Sequence, residues 1–188
     1  MINETELREL RDLKKNIDSD EIRYKEIIKK KLLNNNKIIH VLSDKVLEDA
    51  GAAADEYFGR NILPYYIIQP TQTDVQNFIC YEVSFDEISK YNSIMKYNQV
   101  IFYVLCELKN GIDRQTGIAR HDLLAALLLD EFNWTNYFGT QIHCVSNKPS
   151  IVDTNYACRT LIFEMETTAG IAKTRAKMPR VVNNEVHL

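Results

Sequence analysis

The stretch QVIFYVLCEL, residues 99–108, decides the fold that this sequence predicts. It is apolar at odd and even positions alike, so a β-strand formed by it carries apolar side chains on both faces. Such a strand is typical of the centre of a sheet that is covered on two sides. We therefore expect the rest of the sheet to lie on either side of this segment.

Further strands are predicted before and after the central one. NFICYEVSF, residues 77–85, alternates apolar positions with a period of two and predicts the preceding strand. QIHCVS, residues 141–146, and YACRTLIFEME, residues 156–166, predict two later strands, joined by the loop NKPSIVDTN, residues 147–155. NILPYYIIQP, residues 61–70, is interrupted by prolines, which restrict it to an extended segment or at most an edge strand.

A core helix is predicted between the second and third of these strands. The stretch GIARHDLLAALLLDEFNW, residues 117–134, carries apolar side chains at helical spacing. The spacing predicts a helix over residues 120–132 that turns one face toward the sheet. The apolar stripe consists of Leu123, Leu124, Leu127, Leu128 and Phe132.

The N-terminal part of the chain predicts helices as well. Residues 3–36 carry two amphipathic helical patterns, the second of which stops in a run of three asparagines, residues 34–36. SDKVLEDAGAAADEYFG, residues 43–59, predicts a further helix that Ser43 or Asp44 caps and Gly59 closes.

This order of elements predicts an α+β fold, with one mixed or antiparallel sheet of about four strands and helices packed on it. We expect an N-terminal helical segment at residues 1–36, an α+β core domain at residues 37–168 and an extended basic arm at residues 169–188. The arm has little periodicity, and we expect it to gain order only when it binds a neighbour. Its candidate contact residues are Lys173, Arg175, Lys177, Arg180, Val181 and Val182.

The pair His121–Asp122 admits two interpretations. A His-Asp pair occurs in metal-dependent phosphohydrolases, which need another histidine, for which His40 is the candidate, and another aspartate. Asp130 lies eight residues after Asp122, about 12 Å along a helix, too far for both to bind one ion. Asp122 also suits the positive end of the helix dipole. We therefore expect a plain helix start here, with no metal and no cofactor.

The composition narrows the function classes further. A formal net charge of -3 argues against a dedicated nucleic-acid-binding protein, which usually carries a basic face. No apolar run reaches the ~18 residues of a membrane span, and the N-terminus lacks the pattern of a signal peptide. The four cysteines lie in separate apolar runs, which predicts buried free thiols. No nucleophile or phosphate-binding motif occurs, so we expect no enzyme.

Three runs of the chain carry a resemblance to a known class. DRQTGIARHDLLAALLLDEFNW, residues 113–134, is a loop followed by a helix. FGTQIHCVSNKPSIVDTNYACRTLIFEM, residues 138–165, holds a strand, a polar loop and a long final strand, and residues 61–85 lead into the first strand. Through these runs the chain resembles bacteriophage neck proteins of the tail-terminator or head–tail joining class, from about residue 22 to residue 168. The helix before residue 20 and the basic tail after residue 170 depart from the compact members.

The resemblance implies a structural virion protein in the neck or tail region, assembled in the host cytoplasm. It implies a closed ring of identical subunits, six-fold or twelve-fold, that joins capsid or portal to tail. Its partners would be its own copies and neighbouring portal, connector or tail proteins, with no membrane. DNA would pass through without sequence-specific binding. Two alternatives are a generic cytoplasmic α+β interaction module and a metal-dependent hydrolase that uses His121 and Asp122.

Overall fold

The computed structural model describes residues 3–12, 20–66, 77–85, 95–153 and 155–168. Five α-helices precede or interrupt a sheet of five strands in these ranges. The helices are α1 (Glu4–Asp12), α2 (Asp20–Asn34), α3 (Asn36–Leu42), α4 (Lys45–Ala50) and α5 (Arg120–Phe132). The strands are β1 (Ile62–Leu63), β2 (Asn77–Phe85), β3 (Met95–Glu107), β4 (His143–Asp153) and β5 (Tyr156–Thr168). The predicted α+β class is confirmed.

The sheet is mixed and has the strand order β1-β2-β3-β5-β4. β1 runs parallel to β2, and the other three neighbouring pairs are antiparallel. β3 lies at the centre, as the sequence predicts. The prediction of about four strands was one short, because the fifth strand, β1, has only two residues. Two residues are too few to show a period-two pattern in the sequence. The prolines of this segment allowed at most an edge strand.

The apolar core lies mainly on one face of the sheet. The buried apolar residues of α2, α3, α4 and α5 all belong to one cluster with that face. Phe102 of β3 sits at its centre, with its ring centroid 5.1 Å from that of Phe132 and 5.7 Å from that of Phe163. The other face carries a smaller buried cluster, formed by Leu63, Phe78, Cys80, Leu105 and Cys158.

One helix prediction needs correction, and one helix was not predicted. The helix predicted over residues 43–59 ends at Ala50, because Gly51 adopts a left-handed conformation, φ +63°, and caps it. A short 3₁₀ helix follows at Ala54–Tyr57. The asparagine run that ends α2 also starts α3, because the Asn35 side chain accepts hydrogen bonds from the amides of Lys37 and Ile38.

The loop predicted at residues 147–155 is also wrong in part. β4 continues to Asp153, and the two long strands β4 and β5 form one antiparallel hairpin. From Asn147 to Ser150 the β4 residues are exposed, so they show no apolar alternation that a sequence pattern would reveal. The backbone pairing with β5 holds them in the sheet, and Pro149 is tolerated because β4 is an edge strand.

The core helix is confirmed over residues 120–132, but two of the five residues of its predicted stripe, Leu123 and Leu127, are only partly buried. Leu124, Leu128 and Phe132 are fully buried, as expected. Leu127 packs at the margin of the core, so a substitution there tests the helix less sharply than one at Leu128.

Other predictions concern the thiols and the membrane. Cys80, Cys106 and Cys158 are buried and free, as predicted, and Cys144 is free but partly exposed. None of the described helices is long and apolar enough to span a membrane. The arm residues from Lys173 to Val182 lie outside the described residues.

Candidate functional site

The start of α5 holds the two residues that suggested a metal site. The Asp122 carboxylate lies 2.6 Å from Nη2 of Arg159, on β5, and 3.3 Å from Nε2 of His121. Arg159 also donates a hydrogen bond of 2.9 Å to the side-chain oxygen of Asn147. The guanidinium thus supplies the positive charge that a bound cation would supply to this carboxylate. Among the described residues, no three His, Cys, Asp or Glu side chains are grouped to hold a metal ion.

The buried thiol nearest to this cluster is not activated. Cys106 is fully buried on the core face of β3. Burial raises the pKa of the Cys106 thiol to about 12, although the charge of Arg120 acts in the opposite direction. The thiol is therefore protonated at neutral pH, and a protonated thiol is a poor nucleophile. Cys106 acts as a small core residue.

Arg120, which the sequence did not single out, fixes the loop before α5. Its side chain is buried and lies 3.3 Å from the Asp113 carboxylate, and it donates a 2.9 Å hydrogen bond to the carbonyl of Val41. Thr116 donates to Asp113 from its hydroxyl and its amide, at 2.8 and 2.9 Å. These hydrogen bonds hold the pKa of Asp113 below its usual value. Asp113 is therefore ionised at neutral pH and pairs with Arg120 inside the protein.

Backbone hydrogen bonds complete this loop. The Asp113 amide donates to the Ile118 carbonyl at 2.9 Å, and the Arg120 amide donates to the Gly111 carbonyl at 2.8 Å. Gly117 takes φ +71°, a conformation that glycine adopts at little cost. Hydrogen bonds of the loop's own polar groups therefore hold its conformation. The side chains that point outward are not needed for this.

Three of those outward side chains are apolar. Ile112 is 63% exposed, and Leu108 and Ile118 are exposed on the same loop. The cations of Lys109 and Arg114 lie exposed among them. Single exposed apolar residues are ordinary, and three on one ordered loop make it a candidate contact surface. We call Leu108, Ile112 and Ile118 the aliphatic patch.

The opposite end of α5 carries an aromatic surface. Trp134 has φ +62°, which is rare for a bulky residue, and its backbone amide donates a 2.7 Å hydrogen bond to the Ile142 carbonyl. Its ring stacks on that of His143 at 5.5 Å and 15°, yet the residue is 62% exposed. Tyr137 and Val145 are exposed nearby along the chain, and Val145 is the extra residue of a β-bulge in β4. We call Trp134, Tyr137 and Val145 the aromatic patch.

Acidic side chains accompany the aromatic patch. Asp130 is exposed one turn before Trp134. Glu131 accepts hydrogen bonds of 2.9 Å from the Asn35 amide and 3.3 Å from the Tyr137 hydroxyl. Lys31 lies over the Tyr137 ring at 3.6 Å and 3.8 Å from Glu131. The tyrosine is therefore held in place from two sides.

β4, which begins beside the aromatic patch, is the last strand in the sheet order. Its only strand partner is β5, among the residues that the structure describes. An edge strand offers backbone amides and carbonyls to another chain, and Pro149 limits such pairing to part of its length. The edge and the aromatic patch together form the most prominent candidate surface for protein contacts.

Sequence reasoning missed the key residues of both patches. Arg120 and Asp113 stand seven residues apart, and no motif marks a buried pair formed by a loop that folds back. Trp134 is the one tryptophan of the chain, which was a usable signal, since tryptophan is enriched at contact surfaces. The predicted arm residues, from Lys173 to Val182, lie outside the described ranges.

The comparison with protein families gives one match. A family model described as YomW matches residues 26–165, about three quarters of the 188-residue chain. YomW is the name of a phage-type protein, from a Bacillus prophage of the SPbeta kind. A comparison with curated proteins finds no match. The phage origin implied by the resemblance agrees with this name, whereas the name does not denote a neck class.

Proposed function

The chain belongs to the phage-related YomW family, and from this premise we propose that it is a structural protein of the phage neck. In this proposal identical copies form a closed ring, as a head–tail connector or tail terminator. The ring joins capsid or portal to tail around the path of the DNA. It is a virion component that assembles in the host cytoplasm.

Trp134 is the observation that carries the proposal. Its left-handed backbone costs on the order of 1 kcal/mol, and its ring remains mostly exposed. Within the isolated subunit the ring gains only its stack on His143 and otherwise stays in solvent. Tryptophan is prominent among the residues that dominate protein–protein binding. A role in contacts between copies gives this arrangement a physical reason.

The paired charges support a structural role over catalysis. Arg120 faces Asp113, and Arg159 faces Asp122, so the ionisable groups at the start of α5 neutralise one another. A catalytic group instead needs a reactive protonation state that faces a substrate. We therefore propose that the chain is not an enzyme and that its partners are proteins.

The remaining partners follow from the same proposal. Copies of the chain contact each other around the ring, and portal, connector or tail proteins lie above and below it. The net charge of -3 fits a channel through which DNA passes without sequence-specific binding. The basic arm at residues 169–188 would reach the acidic surfaces of these neighbours.

The experiment is to delete the gene from the phage that encodes the chain and to image the lysate by electron microscopy. The proposal expects DNA-filled heads and separate tails, and a plasmid copy of the wild-type gene should restore joined particles. Gold-labelled antibody should mark the neck of intact virions. Normally joined, infectious particles without the protein would overturn the neck role.

A further inference from the structure

The two apolar patches lie at opposite ends of one helix. The aliphatic patch precedes Arg120, where α5 begins, and the aromatic patch follows Phe132, where it ends. Thirteen helical residues separate these ends by about 20 Å. One copy of the chain therefore presents two different apolar surfaces, displaced along the axis of α5.

Each patch is fixed before any partner arrives. The buried Arg120–Asp113 pair and the hydrogen bonds within the loop hold the aliphatic patch. The stack on His143 and the hydrogen bond from its own amide hold Trp134. Surfaces that are ordered in advance lose little conformational entropy when they bind.

The charges beside the patches are opposite in sign. Lys109 and Arg114 are exposed beside the aliphatic patch. Asp130 is exposed beside the aromatic patch, and the adjacent Glu131 is paired with Lys31, so the charge that remains there is negative. A contact of either patch with its own copy would bring like charges together, which is unfavourable. A contact between the two different patches brings opposite charges together.

We infer that the aliphatic patch of one copy packs against the aromatic patch of the next copy. This inference rests on the proposed ring and names the surface that closes it. A contact between two different surfaces is head-to-tail, and it generates a ring when the rotation between copies closes. Ile112 and Ile118 lie against the exposed ring of Trp134, and Lys109 and Arg114 face Asp130.

Two single variants test the pairing. Ile118→Asp places a charge in the aliphatic patch, and Trp134→Gly removes the ring from the aromatic patch while relieving the left-handed backbone. Each variant should raise the concentration needed for half-assembly by about tenfold or more. Val46→Asp is the matched control, because Val46 is 54% exposed and belongs to neither patch. Its assembly should equal that of the wild type.

Mixing the two variants gives the decisive result. Each variant retains one intact patch, so an equimolar mixture should form pairs of twice the 21.8 kDa subunit mass and nothing larger. Native mass spectrometry resolves these species. If the wild type forms a ring and the single variants also form rings, the inference is overturned and the proposed function still stands. Variants that stay monomeric when they are mixed would also overturn the inference and leave the proposed function standing.

Charge-reversal variants test the same pairing if a variant in one of the apolar patches fails to fold. Arg114→Glu and Asp130→Lys each place like charges across the contact, so each should weaken assembly. The two changes in one chain exchange the charges of Arg114 and Asp130, so opposite charges face each other there again and assembly should recover in part, since Lys109 is unchanged. Failure of the double variant to recover, with both chains folded, would overturn the pairing. A wild-type chain that stays monomeric would instead overturn the ring, and the pairing with it.

Discussion

Asp44 is a single residue that caps a helix and joins two segments. Its carboxylate accepts hydrogen bonds from the amides of Val46 and Leu47, at 3.1 and 3.3 Å, and lies 2.7 Å from Nε of Arg60. Burial alone would raise the pKa of Asp44, but the hydrogen bonds from Arg60 and the Leu47 amide outweigh it and lower the pKa. The sequence predicted the cap, since Asp44 precedes a helical pattern. It did not reveal Arg60, because nothing local brings these residues together.

Asp44→Asn separates these two roles, because asparagine is also a good N-cap. We expect the variant to be less stable than the wild type by about 1–3 kcal/mol at neutral pH. Because the pKa of Asp44 is lower in the folded than in the unfolded protein, the ionised carboxylate stabilises the fold at pH values above the unfolded-state pKa of about 3.9. This stabilisation is lost as the pH falls through the folded-state pKa. The difference should therefore shrink below about pH 4. Urea unfolding across pH measures it, and a difference that persists at low pH would contradict this account.

Trp134 offers a second prediction for a single residue. Trp134→Gly and Trp134→Ala both remove the stack on His143, but only glycine takes φ +62° without strain. The glycine variant should be more stable than the alanine variant by about 1 kcal/mol. Thermal unfolding of both proteins measures the difference. Equal stabilities would mean that the backbone at Trp134 is not strained.

Among the elements, α5 provides the sharpest test of packing. Leu128 is fully buried between the sheet and the neighbouring helix, whereas Leu127 is only partly buried. Leu128→Ala should destabilise the protein by about 2–5 kcal/mol, with a smaller loss for Leu127→Ala as the matched control. Chemical denaturation of the two variants compares them. A larger loss of stability for Leu127→Ala than for Leu128→Ala would show that the core-facing side of α5 is assigned wrongly.

The elements that the sequence predicted well are those with long apolar patterns. β2 and α5 each repeat one period and β3 is a continuous apolar run, so their type and position followed from burial alone. The sequence did not predict α3 or the second half of β4, for a different reason. α3 begins at a cap inside a run of asparagines, and β4 is held by pairing with β5 although its side chains are exposed. The exposed half of β4 leaves no periodic apolar signal, and the buried Ile38, Val41 and Leu42 of α3 lie at helical spacing in a run too short to stand out.

At the scale of the whole molecule, the fold class and the central strand followed from the sequence, but the contact surfaces did not. Both patches depend on where a loop folds back and where a helix ends, which only tertiary structure fixes. The sequence pointed instead to the arm at residues 169–188, with Lys173, Arg175, Lys177 and Arg180 beside Val181 and Val182. The arm and the patches make separable predictions.

Deletion of residues 171–188 should leave the thermal stability nearly unchanged, because termini add little to a folded core. The same deletion should prevent incorporation into particles or binding to the adjacent ring, since in the proposed function the arm supplies the basic contacts to neighbours. Differential scanning calorimetry measures the stability, and plaque yield in a complementation assay measures incorporation. Wild-type yield of infectious particles with the truncated protein would show that the arm has no role.

The central claim is that this chain assembles into a closed ring of identical subunits. Native mass spectrometry of the purified wild-type protein over a range of concentrations tests it most directly. The account predicts one dominant species, a fixed whole-number multiple of 21.8 kDa with six or twelve subunits, and a ring with a central channel in electron micrographs. A protein that remains a monomer at every concentration, or that grows into open chains of variable length, would contradict it.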